Sequence, residues 1–208
     1  MNIQARTLHS LSIRMWDSCS PSRQPALHAV RALVQKLRVD GHNAHIFIDI
    51  HGHSAKKGIF LFGIKADDGS APAAADAAEG GVASISEDEK RDSAASEKKK
   101  SKAASKCRVL AKCMSRHFPR FFFKTESCTY GSGLAEKRGT ARMVMFGCGV
   151  PYAYTLESSM GGYDGAKQAL HFDVPQYLQA GAALGASLLP WRLLLVEGKD
   201  KDAGGLDV

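Results

Sequence analysis

The residues best suited to chemistry stand at the end of a short apolar run. Ala44-His45-Ile46-Phe47-Ile48-Asp49-Ile50 leads into His51-Gly52-His53-Ser54. A β-branched apolar run of this length reads as a buried, parallel strand. A histidine directly after it stands at the strand's C-terminal edge, where ligands collect in open α/β sheets. Neutral imidazole is a common zinc ligand, oriented by an acceptor behind it. At such a position it is also often a satisfied structural residue, and the residues alone leave His51 open between the two. Gly52 is expected to turn the backbone sharply, with His53 and Ser54 adding polar groups. The second candidate is Glu157, an acid inside the β-prone run Tyr152-Ala153-Tyr154-Thr155-Leu156-Glu157. A buried carboxylate is costly unless it is paired or used. It is either one half of a salt bridge or a general base with a tuned pKa.

The elements that must position these groups follow from periodicity. Residues 22–39 predict a helix, with Ser22 as its cap, helical spacing of Ala26, Val30, Leu33, Val34 and Leu37, and Gly41 as its stop. Ile59-Phe60-Leu61-Phe62 predicts a second short strand. Residues 107–117 and the stretch from Gly139 to Phe146, opened by Thr140, predict two further helices. Residues 175–188 predict a last amphipathic helix, with Pro175 tolerated in its first turn. Short apolar strands alternating with helices mean an α/β fold. Residues 65–106 are rich in Ala, Ser, Gly, Asp, Glu and Lys and carry no aromatic residue. Such a segment cannot offset its own ordering entropy and is expected to be a disordered insertion in a surface loop. Residues 1–10 and the tail 197–208 are expected to be loose ends around one domain over 11–196.

Composition narrows the class. The chain has 208 residues, enough for one domain with a buried core. No continuous apolar run reaches the ~18 residues of a membrane span, and the first fifteen residues do not form a secretory signal. Five cysteines, Cys19, Cys107, Cys113, Cys128 and Cys148, include no CxxC pair, which argues against a zinc ribbon and fits reduced thiols inside a cell. A net charge of +7 admits nucleic acid, an anionic surface or an acidic peptide as partner. No helix-turn-helix, RNP or finger pattern supports nucleic acid.

The run from Phe47 to Gly63, with Asp49-Ile50-His51-Gly52-His53-Ser54 at its heart, resembles the signature of the cytosolic carboxypeptidases, the tubulin-deglutamylating branch of the M14 zinc metallocarboxypeptidases. Gly139-Thr140-Ala141-Arg142-Met143-Val144-Met145, Tyr154-Thr155-Leu156-Glu157-Ser158-Ser159, Gly161-Gly162, Phe118-Pro119-Arg120 and His171-Phe172 agree with it in order and spacing. The resemblance covers most of 11–190 outside the insertion. It implies the C-terminal part of an M14 domain: a mixed sheet flanked by helices, one zinc ion, cytoplasmic location and cleavage of C-terminal glutamate from acidic tails such as polyglutamylated tubulin. It makes His51 a zinc ligand and Glu157 the promoter of water attack. It places Arg142 in the side-chain specificity pocket, where a guanidinium pairs with a carboxylate in a bidentate way. A surface salt bridge is the alternative for Arg142. It aligns Arg14 with the arginine of an Asn-Arg pair that grips the terminal carboxylate, although Ile13 stands where the Asn is expected. It finds no His-x-x-Glu for the other two zinc ligands. A binding module for acidic tails without catalysis is the competing reading, with no membrane and no nucleic acid as partner in either.

Overall fold

The computed structural model describes residues 15–65, 106–131, 139–165 and 167–196. Arg14, Ile13, nearly all of the insertion and both loose ends lie outside the described residues. Ten elements follow in chain order: α1 (Pro25–Val39), β1 (Ile46–His53), β2 (Ile59–Ile64), α2 (Val109–His117), β3 (Thr129–Gly131), α3 (Ala141–Gly147), β4 (Tyr152–Ser159), β5 (Tyr163–Asp164), β6 (Ala169–Leu170) and α4 (Val174–Leu195). A single 3-10 turn, Thr125–Ser127, precedes β3.

The main sheet has the order β1-β4-β2-β3. β1 runs parallel to β4, β4 antiparallel to β2, and β2 parallel to β3. The sheet is therefore mixed, as expected. Side chains alternate across a strand, and direct partners share a face. The register puts Ile46, Ile48, Leu61, Tyr154 and Leu156 on one face and Phe47, Asp49, His51, Phe60, Phe62, Thr155 and Glu157 on the other. The first face packs with α2 and α4 in a core holding Leu61, Leu110, Met114, Tyr154, Leu156 and Trp191. The second packs with α1 and α3 through Trp16, Phe47, Ala141, Met145, Phe146 and Ala153. Helices thus cover both faces, which is why β2 is nearly all buried rather than alternating.

Several boundaries differ from the sequence reading. α1 starts at Pro25, not at residue 22; its N-cap is Gln24 with no side-chain cap bond, and the Ser22 hydroxyl meets that of Ser20 at 3.3 Å. β1 does not stop at Ile50. It continues to His53, held there by parallel pairing with β4 as far as Ser159. Gly52 therefore lies in an extended strand and makes no sharp turn. α4 runs seven residues past the expected 188, to Leu195, with Pro190 inside it. Its start is fixed by a capping box, in which Asp173 Oδ1 accepts from the Gln176 N–H at 2.9 Å and Gln176 Oε1 accepts from the Asp173 N–H at 2.7 Å. This 22-residue helix is long and apolar enough, by length and composition, to cross a membrane. In the fold it buries Ala180, Ala183, Ser187 and Trp191, while Val174, Leu178 and Leu189 are exposed.

Candidate functional site

The polar residues of the second face gather at the C-terminal ends of the parallel pair. His51 on β1 lies directly opposite Glu157 on β4, and Asp49 opposite Thr155. Phe60 on β2 flanks Glu157 from the far side, and Phe62 flanks Thr155. Helix α3 brings Arg142 down onto this surface. Its Nη1 donates to Thr155 Oγ1 at 2.9 Å, and its guanidinium lies 5.5 Å from the Phe62 ring centroid.

The two histidines of the His-Gly-His run have different jobs. His53 Nδ1 accepts the backbone N–H groups of Ala55 and Lys56 at 3.1 and 3.0 Å, and its ring meets the Phe60 ring edge-on at 5.1 Å. It closes the turn after β1. His51 instead directs Nε2 at Asp49 Oδ2, 2.7 Å away. That contact fixes the ring and leaves Nδ1 as the nitrogen with a free lone pair. A carboxylate behind an imidazole also makes the other nitrogen a better donor to a metal. Asp49, two residues before His51 on the same strand face, had not been singled out from the sequence. The signal was available: in a strand, i and i+2 share a face.

The charges perturb one another. The hydrogen bond that His51 donates to Asp49 raises the His51 pKa; burial opposes it, and Asp49 and Glu157 add to the rise through space while Arg142 opposes. Burial pushes the Glu157 carboxyl up, against the pull of His51, His53 and Arg142. Burial also lowers Arg142, against the attraction of Glu157 and Asp49. Glu157 is 9% exposed and Arg142 6%. Neither forms a side-chain ion pair within 4.0 Å among the described residues. Among the described residues, neither the salt bridge read for Glu157 nor the surface salt bridge read for Arg142 is formed. Asp49→Asn is expected to bring the His51 pKa down, because it removes the largest upward influence and leaves burial in place. Titration of the His51 ring by NMR checks this. An unchanged midpoint would mean that the Asp49 contact does not form in solution.

Sequence reasoning therefore named three residues that the fold brings to one surface, His51, Glu157 and Arg142. The fourth, Arg14, lies outside the described residues.

No family model matches the chain. Among solved structures, a metallo-carboxypeptidase from Burkholderia cenocepacia superposes with a TM-score of 0.52 at 19% identity, over 86% of this chain and 38% of that one. The architecture is that of a metallocarboxypeptidase fold. Curated relatives refine it: cytosolic carboxypeptidase 1 of Danio rerio is 27% identical over 181 residues, 86% of this chain. Cytosolic carboxypeptidase 4 is 29% identical over 180 residues in Mus musculus and 31% over 152 residues in Homo sapiens. Over the stretch it shares with them the chain is similar to the cytosolic carboxypeptidases, which supports the M14 metallocarboxypeptidase reading of its fold. It spans 14% of the length of the zebrafish and mouse relatives and 12% of the human one.

That reading implies a metal. His51, with Nδ1 free and Asp49 behind it, suits one donor position. Among the described residues, however, no three His, Cys, Asp or Glu side chains are grouped to hold an ion. The described segment presents part of a donor set and not a whole one.

Proposed function

We propose that this chain is part of a cytoplasmic zinc carboxypeptidase that removes C-terminal glutamate from acidic protein tails, tubulin's among them. The observation that carries the reading is the pairing of His51 and Glu157 across β1 and β4, with Asp49 holding the imidazole. Zinc, when bound in the complete domain, supplies Lewis acidity toward the scissile carbonyl and a more acidic water. His51 would be one of its ligands. Glu157, buried and raised in pKa, accepts a proton from the attacking water and returns it to the leaving amine. Arg142 recognises the side-chain carboxylate of the terminal residue, since a desolvated guanidinium gains most from a bidentate anion. Arg14 takes the terminal carboxylate. The test is release of free glutamate from glutamate-ended peptides and from tubulin by the complete domain, compared with peptides ending in glutamine. Equal release from both would sink the specificity, and no release would sink the activity.

The partial donor set of the described residues favours a second reading for the 208-residue chain by itself: it binds acidic tails without cutting them. That chain is then expected to bind zinc weakly and below one equivalent, measured by metal analysis after dialysis. A tight, stoichiometric ion would overturn this, because a catalytic zinc needs about three protein ligands.

A further inference from the structure

Two cations converge on one aromatic ring. Arg142 lies over Phe62 at 5.5 Å, and Lys56 Nζ lies 5.7 Å from the same centroid and 5.1 Å from that of Phe60. The rings attract each cation, but the two positive charges repel one another. An anion beside Phe62 would relieve both. Two other lysines of this neighbourhood share one carboxylate. Lys57 and Lys124 both reach Asp164, at 3.1 and 2.6 Å. Lys56 has no carboxylate within 4.0 Å among the described residues.

The position of Lys56 is also built rather than accidental. Its backbone N–H donates to His53 Nδ1, so the chain from which it springs is pinned to the end of β1. Its ammonium is drawn onto two rings of the site face, one of them, Phe60, directly opposite Glu157. The result is a buried cation and an exposed cation against the same ring, Phe62, on the site face that carries the His51–Glu157 pair.

We propose that Lys56 and Arg142 form a subsite for two peptide carboxylates, Arg142 taking the terminal side chain and Lys56 a second carboxylate on the solvent side of Phe62. This rests on the acidic-tail reading of the site and deepens it. The second carboxylate has two sources in such a tail: the terminal α-carboxylate or the side chain of the residue before it.

The experiment measures binding of the 208-residue chain to fluorescent peptides ending in Glu-Glu, in Glu-Glu-amide, in Gln-Glu and in Gln-Gln. Lys56→Met keeps the apolar stem on the rings and removes the charge; Lys56→Arg restores it. The expected result is about tenfold weaker binding of the Glu-Glu peptide by Lys56→Met, the scale of one charge-assisted hydrogen bond, and recovery in Lys56→Arg. Whichever of the amide and Gln-Glu peptides abolishes the difference between wild type and Lys56→Met identifies the source. Unchanged Glu-Glu binding by Lys56→Met, with loss on Arg142→Met, would overturn the Lys56 subsite alone. A wild-type chain that does not prefer Glu-Glu to Gln-Gln would overturn the acidic-tail reading and the subsite with it.

Discussion

In the complete domain, Glu157→Gln is expected to lower glutamate release by about 10²–10⁴-fold, the usual worth of a positioned acid–base group. The loss falls on kcat, because Gln keeps the shape beside His51 and Phe60 and cannot accept a proton. The same substitution is expected to stabilise the fold at neutral pH. The sign follows from the Glu157 carboxyl being raised by burial more than its cationic neighbours lower it. Below the ordinary glutamate range, folded and unfolded chains both carry the proton, and stability is intact. As pH rises, the unfolded chain ionises first, and the folded state loses stability until Glu157 itself ionises. Gln has no such cost. The melting temperature of Glu157→Gln should therefore rise above that of wild type as pH climbs from the ordinary glutamate range toward neutrality, and match it at the acid end. A variant less stable than wild type at neutral pH would show that the charge serves as a stabilising partner to His51 and Arg142. A variant of full activity would remove Glu157 from the chemistry. A residue that weakens its own fold while poised beside a histidine is the trade expected of a working site.

The sequence made some of this visible and hid the rest for identifiable reasons. The run from Ile46 to Ile50 announced a strand because it is short, rich in isoleucine and phenylalanine, and flanked by Gly41 and Gly52. Its continuation to His53 was hidden, since it depends on pairing with Ser158 and Ser159, more than a hundred residues away. That continuation also changes what Gly52 is for. Glu157 was legible as a buried acid because an ionisable group inside an apolar alternating run has nowhere else to go. Asp49 was legible and missed, by parity alone. The capping box of α4 was likewise readable in Asp173 and Gln176. The end of α4 was not, because Pro190 reads as a stop, yet the helix continues to Leu195 with Trp191 buried at 3% exposure. Division of labour between His51 and His53 lay beyond reach. It turns on which backbone N–H groups a turn happens to aim, and Ala55 and Lys56 give no sign of that. The meeting of Arg142 with Phe62 is likewise tertiary, an encounter between α3 and β2 that neither segment encodes by itself.

The substitution with the largest effect on the fold itself is Phe60→Ala. Phe60 is fully buried at 0% exposure and lies on the site face of β2, directly opposite Glu157. Truncating a buried Phe costs about 3–5 kcal/mol from lost transfer energy and the cavity left behind. A domain holds only about 5–15 kcal/mol in total. The midpoint of urea unfolding should therefore fall steeply, or the cooperative transition vanish. Phe60→Leu separates packing from aromaticity. It fills most of the volume, so it should cost less than about 1.5 kcal/mol if its neighbours repack, and leave a cooperative transition. It still removes the ring on which His53 and Lys56 rest. In both variants, water gains access beside Glu157, whose raised pKa comes from burial before anything else. The Glu157 carboxyl should then titrate closer to the ordinary glutamate value in Phe60→Leu, seen by NMR of the side-chain carboxyl carbon. If Phe60→Ala unfolds at the wild-type urea midpoint, the ring does not fill the space between Glu157 and the sheet. The desolvation that tunes the acid must then come from α3 and the rest of its own face instead. A Leu variant that folds, keeps Glu157 raised and loses only its hold on Lys56 would divide the work differently. The ring would then act as a platform for the lysine, with Glu157 kept dry by the rest of the face.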